Sequence, residues 1–189
     1  MNRLSRWMVN RGAGRRARRL LARLEGHLPI RPGSAILELG AGRGALSALL
    51  LERFRPRRAV VTDYDPRQVE AARAFLGSRP AGIPEGVELR TADALQLPFP
   101  DRAFDAVFAI AMLHHVDASP REYRQRPTAL AEIRRVLAPG GLLVYSDFSK
   151  VPELRQSLHG LGMVREYSRP GWFGRELAVY RRPFDPAGG

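Results

Sequence analysis

The fold is decided by the stretch Ile36-Leu37-Glu38-Leu39-Gly40-Ala41-Gly42-Arg43-Gly44, in which a short apolar run leads into alternating glycines. The run Ala35–Leu39 predicts a buried strand, and the apolar spacing that follows predicts a helix over Gly44–Phe54. Alternating glycines allow a tight turn between the two elements and let a ligand approach the backbone closely. The free N–H groups of the following helix would face that ligand. A plain strand-to-helix turn is the alternative interpretation.

From residue 35 onward, short apolar runs alternate with amphipathic helical segments. Strands are predicted at Ala35–Leu39, Ala59–Asp63, Val87–Arg90, Phe104–Ile110 and Leu142–Asp147. Helices are predicted at Gly44–Phe54, Pro66–Leu76, Thr128–Leu137 and Pro152–Leu161. Such alternation predicts an α/β protein whose parallel sheet carries helices on both faces. The segments Met163–Ser168 and Glu176–Arg182 flank a Pro-Gly turn and predict an antiparallel hairpin at the edge of that sheet.

The composition is that of an ordinary globular domain. The chain has 189 residues, of which 44% are hydrophobic and 26% are charged, and this length suits one domain with its own core. No apolar run of about 18 residues predicts a membrane span, and the N-terminus lacks the apolar core of a signal peptide, so a cytoplasmic location is expected. The chain has no cysteine, which excludes disulfides, cysteine-ligated zinc and cysteine nucleophiles. No metal site is predicted, and no pattern specifies an oligomeric state.

Positive charge is concentrated at the N-terminus. Residues 1–34 contain nine arginines and one acidic residue, Glu25, which is +8 of the total net charge of +12. The leucines of this segment, with Trp7 and Met8, recur at helical spacing and predict helix over residues 3–28, divided near Gly12–Gly14. A concentrated basic segment indicates an anionic partner, which can be phospholipid, nucleic acid or an acidic small molecule. The alternative is that the apolar stripe packs on the domain and the arginines are solvated.

Two aspartates lie at the end of the second predicted strand. Asp63 ends that strand about 20 residues after the glycine loop, where a carboxylate can accept both hydroxyls of an adenosyl ribose. Asp65 precedes Pro66, which is the pattern of a helix N-cap followed by proline at the first helical position. We therefore interpret Asp63 as ligand-binding and Asp65 as structural. The spacing Gly-x-Gly-x-x-Ala at 40–45 also fits a nicotinamide-dinucleotide fingerprint, so these residues alone leave two cofactors open.

The full series of motifs resembles the class I S-adenosylmethionine-dependent methyltransferases. Five segments follow that family's order: 36–44, Val-Val-Thr-Asp-Tyr-Asp-Pro at 60–66, the Ala-Asp-Ala-Leu-Gln-Leu-Pro-Phe segment within 91–107, Leu-His-His-Val at 113–116 and Leu-Ala-Pro-Gly-Gly at 137–141. The resemblance covers about residues 30–150 and is closest to a small-molecule subgroup that includes quinone C-methyltransferases and phospholipid N-methyltransferases. Neither the 91–107 segment nor the terminal hairpin belongs to a dehydrogenase, so the nicotinamide alternative is disfavoured.

The resemblance implies a Rossmann-like sheet of seven mostly parallel strands that ends in the antiparallel hairpin. It divides the chain into a basic helical extension at 1–34, a methyltransferase domain at 35–183 and a short tail at 184–189. It also implies contacts to S-adenosyl-L-methionine. The residues expected at the methionine end of this cofactor are Glu38, Gly40, Ala41, Gly42 and Gly44. The residues expected at its adenosine end are Asp63 at the ribose and Tyr64, Asp93 and Ala94 at the adenine, while Ile110 is expected near the sulfonium. For Asp93 the alternative is a turn residue, and for Ile110 it is plain core.

The candidate catalytic residues follow strands four and five, and they are His114, His115 and Asp147. Methyl transfer needs a general base only when the acceptor must lose a proton, and a neutral imidazole can orient or deprotonate such an acceptor. Adjacent residues usually point in different directions, so at most one of the two histidines is expected to face the acceptor. The alternative is that the histidines are packed and stabilise the loop.

Arginine-rich segments flank the expected acceptor pocket. The segment 117–127 is longer than the subgroup's usual pattern, and it is interpreted as either a lid or a solvated loop. Its arginines are Arg121, Arg124 and Arg126. Three functions follow: a methyltransferase for a quinone-like or lipid-like small molecule at an anionic membrane surface, an RNA methyltransferase, or a non-catalytic cofactor-binding module. The RNA hypothesis is weakened because strand four is not followed by the Asn/Asp-Pro-Pro-aromatic motif of base amino-methylating enzymes.

Overall fold

The structure, a computed structural model, describes residues 12–170 and 175–185. Its helices are α1 (Ala13–Arg23), α2 (Ala45–Phe54), α3 (Pro66–Gly77), α4 (Arg126–Val136) and α5 (Val151–Gly160). Its strands are β1 (Ala35–Leu39), β2 (Arg58–Asp63), β3 (Val87–Thr91), β4 (Phe104–Ile110), β5 (Leu137–Asp147), β6 (Val164–Pro170) and β7 (Glu176–Arg181). A single 3-10 turn, Leu113–His115, follows β4. The seven strands that the sequence predicted are therefore present, and most boundaries agree within two residues.

The strands form one sheet in the order β3-β2-β1-β4-β5-β7-β6. Strands β1 to β5 are parallel to one another, and β7 is antiparallel to both β5 and β6. The strand order reverses between β1 and β4, and ligands of such sheets bind beyond the carboxyl ends of the strands at this reversal. The glycine loop after β1 and the histidines after β4 consequently emerge side by side.

Strand β5 begins earlier than predicted, at Leu137 instead of Leu142. Leu137 pairs with Phe104 and Leu142 pairs with Ala106, so the segment between them bulges out of register. Gly140 allows the bulge because its φ of +78° lies in the left-handed region. The Pro-Gly-Gly sequence hides this early start, because proline and glycine usually interrupt strands.

Helix α1 is part of the hydrophobic core. Leu21 and Leu24 are buried with Leu50 and Phe54 of α2 on one face of the sheet, whereas α4 and α5 cover the opposite face. The structure thus agrees with the packing alternative for the second half of the predicted N-terminal helical segment. The first half, with Trp7 and Met8, lies outside the described residues. In the ranges that the structure describes, no helix is long and apolar enough to cross a membrane.

Candidate functional site

The glycine loop connects β1 to α2 through three residues in the left-handed region, with φ of +69° at Gly40, +56° at Gly42 and +78° at Gly44. A Cβ at Gly40 would stand 2.6 Å from the Cβ of Met112, so only glycine lets the loop after β1 pack directly on the loop after β4. A Cβ at Gly42 would meet no atom within 4 Å. The loop therefore closes against Met112 on one side and leaves its backbone open at Gly42.

The carboxylate of Asp63 holds the loop to β2. Its Oδ2 accepts the N–H of Gly42 at 2.9 Å, and its Oδ1 accepts the N–H of Asp65 at 3.0 Å. The N–H of Ala41 donates to the carbonyl of Thr62 at 2.9 Å. Asp63 thus has a positioning role that the sequence did not reveal, and each oxygen keeps a lone pair for a ligand hydroxyl. Asp65 caps α3 as predicted, since its Oδ1 accepts the N–H of Arg67 at 2.9 Å.

Glu38 is a buried carboxyl with an incomplete set of partners. Its side chain lies in the interior beside Ser47 and a cavity of about 10 Å³. Neither its Oε2 nor the Ser47 Oγ makes a well-directed hydrogen bond within the described part of the chain. Burial raises the pKa of Glu38 from 4.5 to about 7, the Ser47 hydroxyl lowers it by less, and the charge of Asp63 raises it further. A cation at this position would stabilise the ionised form.

The residues expected around the adenosine lie on the adjacent loops after β2 and β3. Tyr64 is 74% exposed, and Asp93 is exposed on the same edge of the sheet. Asp93 Oδ1 accepts the N–H of Leu95 at 2.9 Å, so Asp93 does form the turn proposed as its alternative role. Ala94 is buried next to it. The structure brings these residues to one edge with the glycine loop.

Ile110, the residue expected near the sulfonium, ends β4 and is partly buried against the core. The next residue, Ala111, has a φ of +56° and donates its N–H to the Ser146 carbonyl at 2.7 Å. Left-handed backbone is costly for a residue with a Cβ and is found where the surroundings enforce it. The bend at Ala111 turns the chain away from the sheet and sets Met112 against the glycine loop.

His114 and Asp147 form a buried pair beyond the ends of β4 and β5. The Nδ1 of His114 lies 3.2 Å from Asp147 Oδ2, and the backbone N–H of His114 donates to the same oxygen at 3.2 Å. Asp147 Oδ1 accepts the N–H of Phe148 at 2.8 Å. Burial raises the pKa of Asp147, but the hydrogen bond and charge of His114, together with the backbone N–H groups, outweigh burial and hold that pKa below its usual value.

The two histidines differ in exposure, as expected for adjacent residues. His114 is buried and its ring contacts the His115 ring at 3.9 Å and the Phe148 ring at 4.4 Å between centroids. His115 is exposed, and partial burial and then the charge of His114 lower its pKa, with Asp147 and Asp63 opposing the decrease. Phe148 is 40% exposed. Sequence reasoning missed Phe148, although its place directly after Asp147 at a strand end was a usable signal.

A second buried carboxylate, also missed from the sequence, lies beside Asp147. Glu176 begins β7 and is the Cα partner of Asp147 across the sheet. It accepts the Tyr145 hydroxyl and receives Nε and Nη2 of Arg155 at 2.9 and 2.7 Å. These bonds anchor the start of β7 at the edge of the candidate site.

The segment 117–127 was expected to be either a lid or a solvated loop, and the structure differs from both at Arg126. Arg121 and Arg124 are exposed, as a solvated loop requires, but Arg126 is fully buried and pairs with Asp117. Arg126 therefore does not contribute to a solvated basic surface. A charged side chain is buried only where it is paired, and its partner lies nine residues earlier in the chain, a spacing that carries no helical or strand signal.

Comparisons with known proteins agree with this geometry. The family model described as a methyltransferase domain matches residues 37–145. The 27-O-demethylrifamycin SV methyltransferase of Amycolatopsis mediterranei is 34% identical over 71% of this chain and 46% of its own length. The demethylmenaquinone methyltransferase of Thermus thermophilus is 41% identical over 62% of this chain and 49% of its own. The chain spans about half the length of the curated relatives that it matches.

Two solved structures show the same fold at low sequence identity. A SAM-dependent methyltransferase from Aquifex aeolicus superposes with a TM-score of 0.69 at 16% identity, covering 85% of this chain and 88% of that one. The [4+2]-cyclase SpnF superposes with a TM-score of 0.72 at 20% identity, covering 91% and 81%. Because one of these proteins is named for a cyclisation, the fold alone does not specify the reaction.

Replacement of Glu38 tests its unusual ionisation. Glu38→Gln is expected to stabilise the cofactor-free protein at pH 8, and much less at pH 5. The carboxyl titrates at about 7 when folded and at 4.5 in the reference state, so stability is lost as pH rises between these values. The full loss in the free energy of unfolding is on the order of 3 kcal/mol. Urea unfolding at both pH values measures it, with Glu52→Gln on the exposed side of α2 as control. An equal effect of Glu38→Gln at both pH values would contradict this account.

Proposed function

The chain belongs to the family of S-adenosylmethionine-dependent methyltransferases, and on this premise we propose that it transfers a methyl group from that cofactor to a small-molecule acceptor. The observation that supports the proposal is the meeting of two groups of residues at one edge of the sheet. The glycine loop with the buried carboxyl of Glu38 forms the first group, and the His114–Asp147 pair with His115 forms the second. The contact of Gly40 with Met112 joins them.

Residues of the first group fit S-adenosylmethionine. Gly42 faces open space, which leaves room for a ligand against the backbone. The buried Oε2 of Glu38 lacks a partner, and the ammonium group of the cofactor is a cation that would complete it. Asp63 would accept the ribose hydroxyls, while Tyr64 and Asp93 would border the adenine. When bound, the cofactor supplies a methyl group that is already activated by a sulfonium.

His115 is our candidate for the group that receives the acceptor's proton. It is exposed, so an acceptor can reach its ring. Its pKa lies below the ordinary value of 6.5, so the imidazole is neutral and able to take a proton at pH 7. His114 and Asp147 would act as positioning residues, because Asp147 fixes the His114 ring and His114 contacts the His115 ring.

The proposed reaction is an in-line displacement. The bond between methyl and sulfur breaks while a bond between methyl and the acceptor atom forms, and the acceptor's proton passes to His115. The residues of the chain contribute mainly by holding the acceptor in line and by excluding water. Ile110 and Met112, at the junction of the two groups, would supply the apolar part of that surface.

A planar ring is the acceptor that the described walls suit best. The exposed parts of His115 and Phe148 offer aromatic faces, and the guanidinium of Arg175 lies 5.7 Å from the Phe148 ring centre. Aromatic faces favour stacking with flat ligands. The relative from Thermus thermophilus is named for demethylmenaquinone, a quinone. We therefore favour a quinone-type acceptor over a phospholipid headgroup.

The basic face of α1 supports a location at an anionic membrane surface. The apolar side of α1 is buried in the core, so this helix would bind lipid through charge and not by insertion. Its exposed arginines are Arg15, Arg16, Arg18, Arg19 and Arg23. Helix α1 itself contains no acidic residue, and such a row of like charges is unfavourable unless an anionic surface is close. A quinone-type acceptor, which partitions into lipid, would be met there.

Vesicle binding tests this location. Exchange of Arg15, Arg18 and Arg19 for glutamine is expected to weaken binding to vesicles of phosphatidylglycerol by about 100-fold at low salt, since each basic residue contributes about 1 kcal/mol. Co-sedimentation at graded salt measures it, and neutral phosphatidylcholine vesicles are the control. Tighter binding to RNA than to anionic vesicles would favour the RNA alternative, and binding to neither would contradict a polyanionic partner.

Cofactor binding is tested by a pair of neighbouring aspartates. Asp63→Ala is expected to weaken S-adenosylmethionine binding by about 100-fold or more, because the anchor of the Gly42 N–H and the ribose contact are both lost. Asp65→Ala is the matched control, which should cost about 1 kcal/mol of stability through the lost helix cap and leave affinity nearly intact. Isothermal titration calorimetry measures both. Binding of a nicotinamide dinucleotide in place of S-adenosylmethionine would refute the proposal.

The role of His115 is tested by turnover. With a quinol acceptor and a radiolabelled methyl donor, His115→Gln is expected to lower kcat by about 100-fold or more. Because the pKa of His115 is lowered, wild-type kcat should fall only as pH drops below 6.5. His159→Gln, on the exposed side of α5, is the control. A chain that binds the cofactor but methylates no lipid, quinol or RNA fraction would instead be a non-catalytic binding module.

A further inference from the structure

Arg126 is a fully buried arginine at the start of α4, between the loop after β4 and the loop after β5. Its Nε lies 2.9 Å from Asp117 Oδ2, and neither side chain is exposed. The other oxygen of Asp117 accepts the backbone N–H groups of Arg124 at 3.0 Å and Gln125 at 2.8 Å. Asp117 therefore binds both the guanidinium and the backbone that leads into α4.

The remaining nitrogens of Arg126 bind both loops. Nη2 donates to the carbonyl of Pro120 at 3.0 Å, in the loop after β4. Nη1 donates to the carbonyl of Ser149 at 3.2 Å and lies 3.3 Å from its Oγ, in the loop after β5. The Ser149 hydroxyl in turn donates to the Pro120 carbonyl. A single guanidinium thus joins two loops that are distant in sequence.

These contacts stand next to the candidate catalytic residues. Asp117 follows His115 by two positions, and Ser149 follows Asp147 by two positions. His114, in the loop after β4, and Asp147, where the loop after β5 begins, lie 3.2 Å apart from Nδ1 to Oδ2. A change in the spacing of the two loops therefore acts directly on that pair.

Fold stability alone does not account for such an arrangement. Removing two charges from water is costly, and buried ion pairs are often no more stabilising than apolar residues of the same size. What an arginine adds is a rigid planar fork whose donors fix several acceptors at once, which a lysine cannot reproduce. Tyr123 further restrains the guanidinium of Arg126, whose carbon lies 5.7 Å from the centre of the Tyr123 ring. The Tyr123 hydroxyl in turn donates to the Glu153 carbonyl at 2.9 Å, which holds the ring to α5.

We propose that Arg126 is a positioning residue that holds the loops after β4 and β5 at the spacing in which Asp147 fixes His114. The inference rests on the proposed function only for its effect on turnover, since the spacing of the two loops is measurable without a substrate. Asp117 and Ser149 take part as its partners, one on each loop.

Arg126→Lys tests the proposal because it keeps the positive charge and loses the fork. The long-range imidazole nitrogen NMR spectrum of the whole chain reports the tautomer of His114. In the wild type a single tautomer with the proton on Nδ1 is expected, and in Arg126→Lys a mixture of tautomers is expected. With a quinol acceptor, kcat should fall by about 10- to 100-fold, since small displacements of reacting groups have effects of this size. Cofactor affinity should change less than about twofold, because the contacts of Arg126 described above involve the loops after β4 and β5 and not those after β1 to β3.

Two further variants make the test decisive. Arg124→Lys, an exposed neighbour in the same segment, is the matched control and should leave spectrum and turnover unchanged. Asp117→Asn keeps the acceptor for the backbone N–H groups and removes the charge, so it should give a smaller change of the same kind. This variant replaces Arg126→Lys in the test if Arg126→Lys does not fold. An unchanged His114 spectrum in folded Arg126→Lys would overturn the proposal. A changed spectrum in a chain without methyl transfer would leave it standing and refute the proposed function instead.

Discussion

Gly40 lies so close to Met112 that a Cβ at position 40 would stand 2.6 Å from the Met112 Cβ. This contact is possible because the strand order reverses between β1 and β4, which brings the loops after these two strands together. The contact constrains both sides. It requires glycine in the first loop, and it requires the left-handed turn at Ala111 that directs Met112 toward that loop. The residues proposed to bind the cofactor and the acceptor share one edge of the sheet as a consequence.

The carboxyl groups around this contact differ in how completely hydrogen bonds satisfy them. Asp63 accepts two backbone N–H groups, and Asp147 accepts backbone N–H groups and the imidazole of His114, so both carboxylates fix the shape of the protein without a ligand. Glu38 is the opposite case, since its buried Oε2 has no partner in the part of the chain that the structure describes. Buried polar groups are normally paired, and a violation of this rule is expected where a ligand supplies the missing partner.

The sequence predicted the strands, the terminal hairpin and the Asp65 cap because each depends on a local pattern of apolar spacing or turn residues. It misplaced the start of β5, since the Pro-Gly-Gly bulge looks like a loop and its pairing with β4 is a long-range property. It also did not indicate the burial of Arg126, which depends on Asp117, Pro120 and Ser149 converging from two loops. The roles of His115, Asp93 and Ile110 remain predictions, because they depend on ligands as well as on position.

The division of the edge into two groups explains how one fold serves different reactions. The loops after β1 to β3 provide the glycine turn and the acidic residues that we propose to bind the cofactor. The loops after β4 and β5 provide His115, Phe148 and the partners of Arg126, and Met112 joins the first of these loops to the glycine turn. A protein named for a cyclisation shares the fold at 20% identity. This agrees with the view that the residues on the loops, and not the sheet, determine which reaction a protein of this fold catalyses. The buried Asp117–Arg126 pair belongs to the loops after β4 and β5, which it joins beyond the end of the sheet.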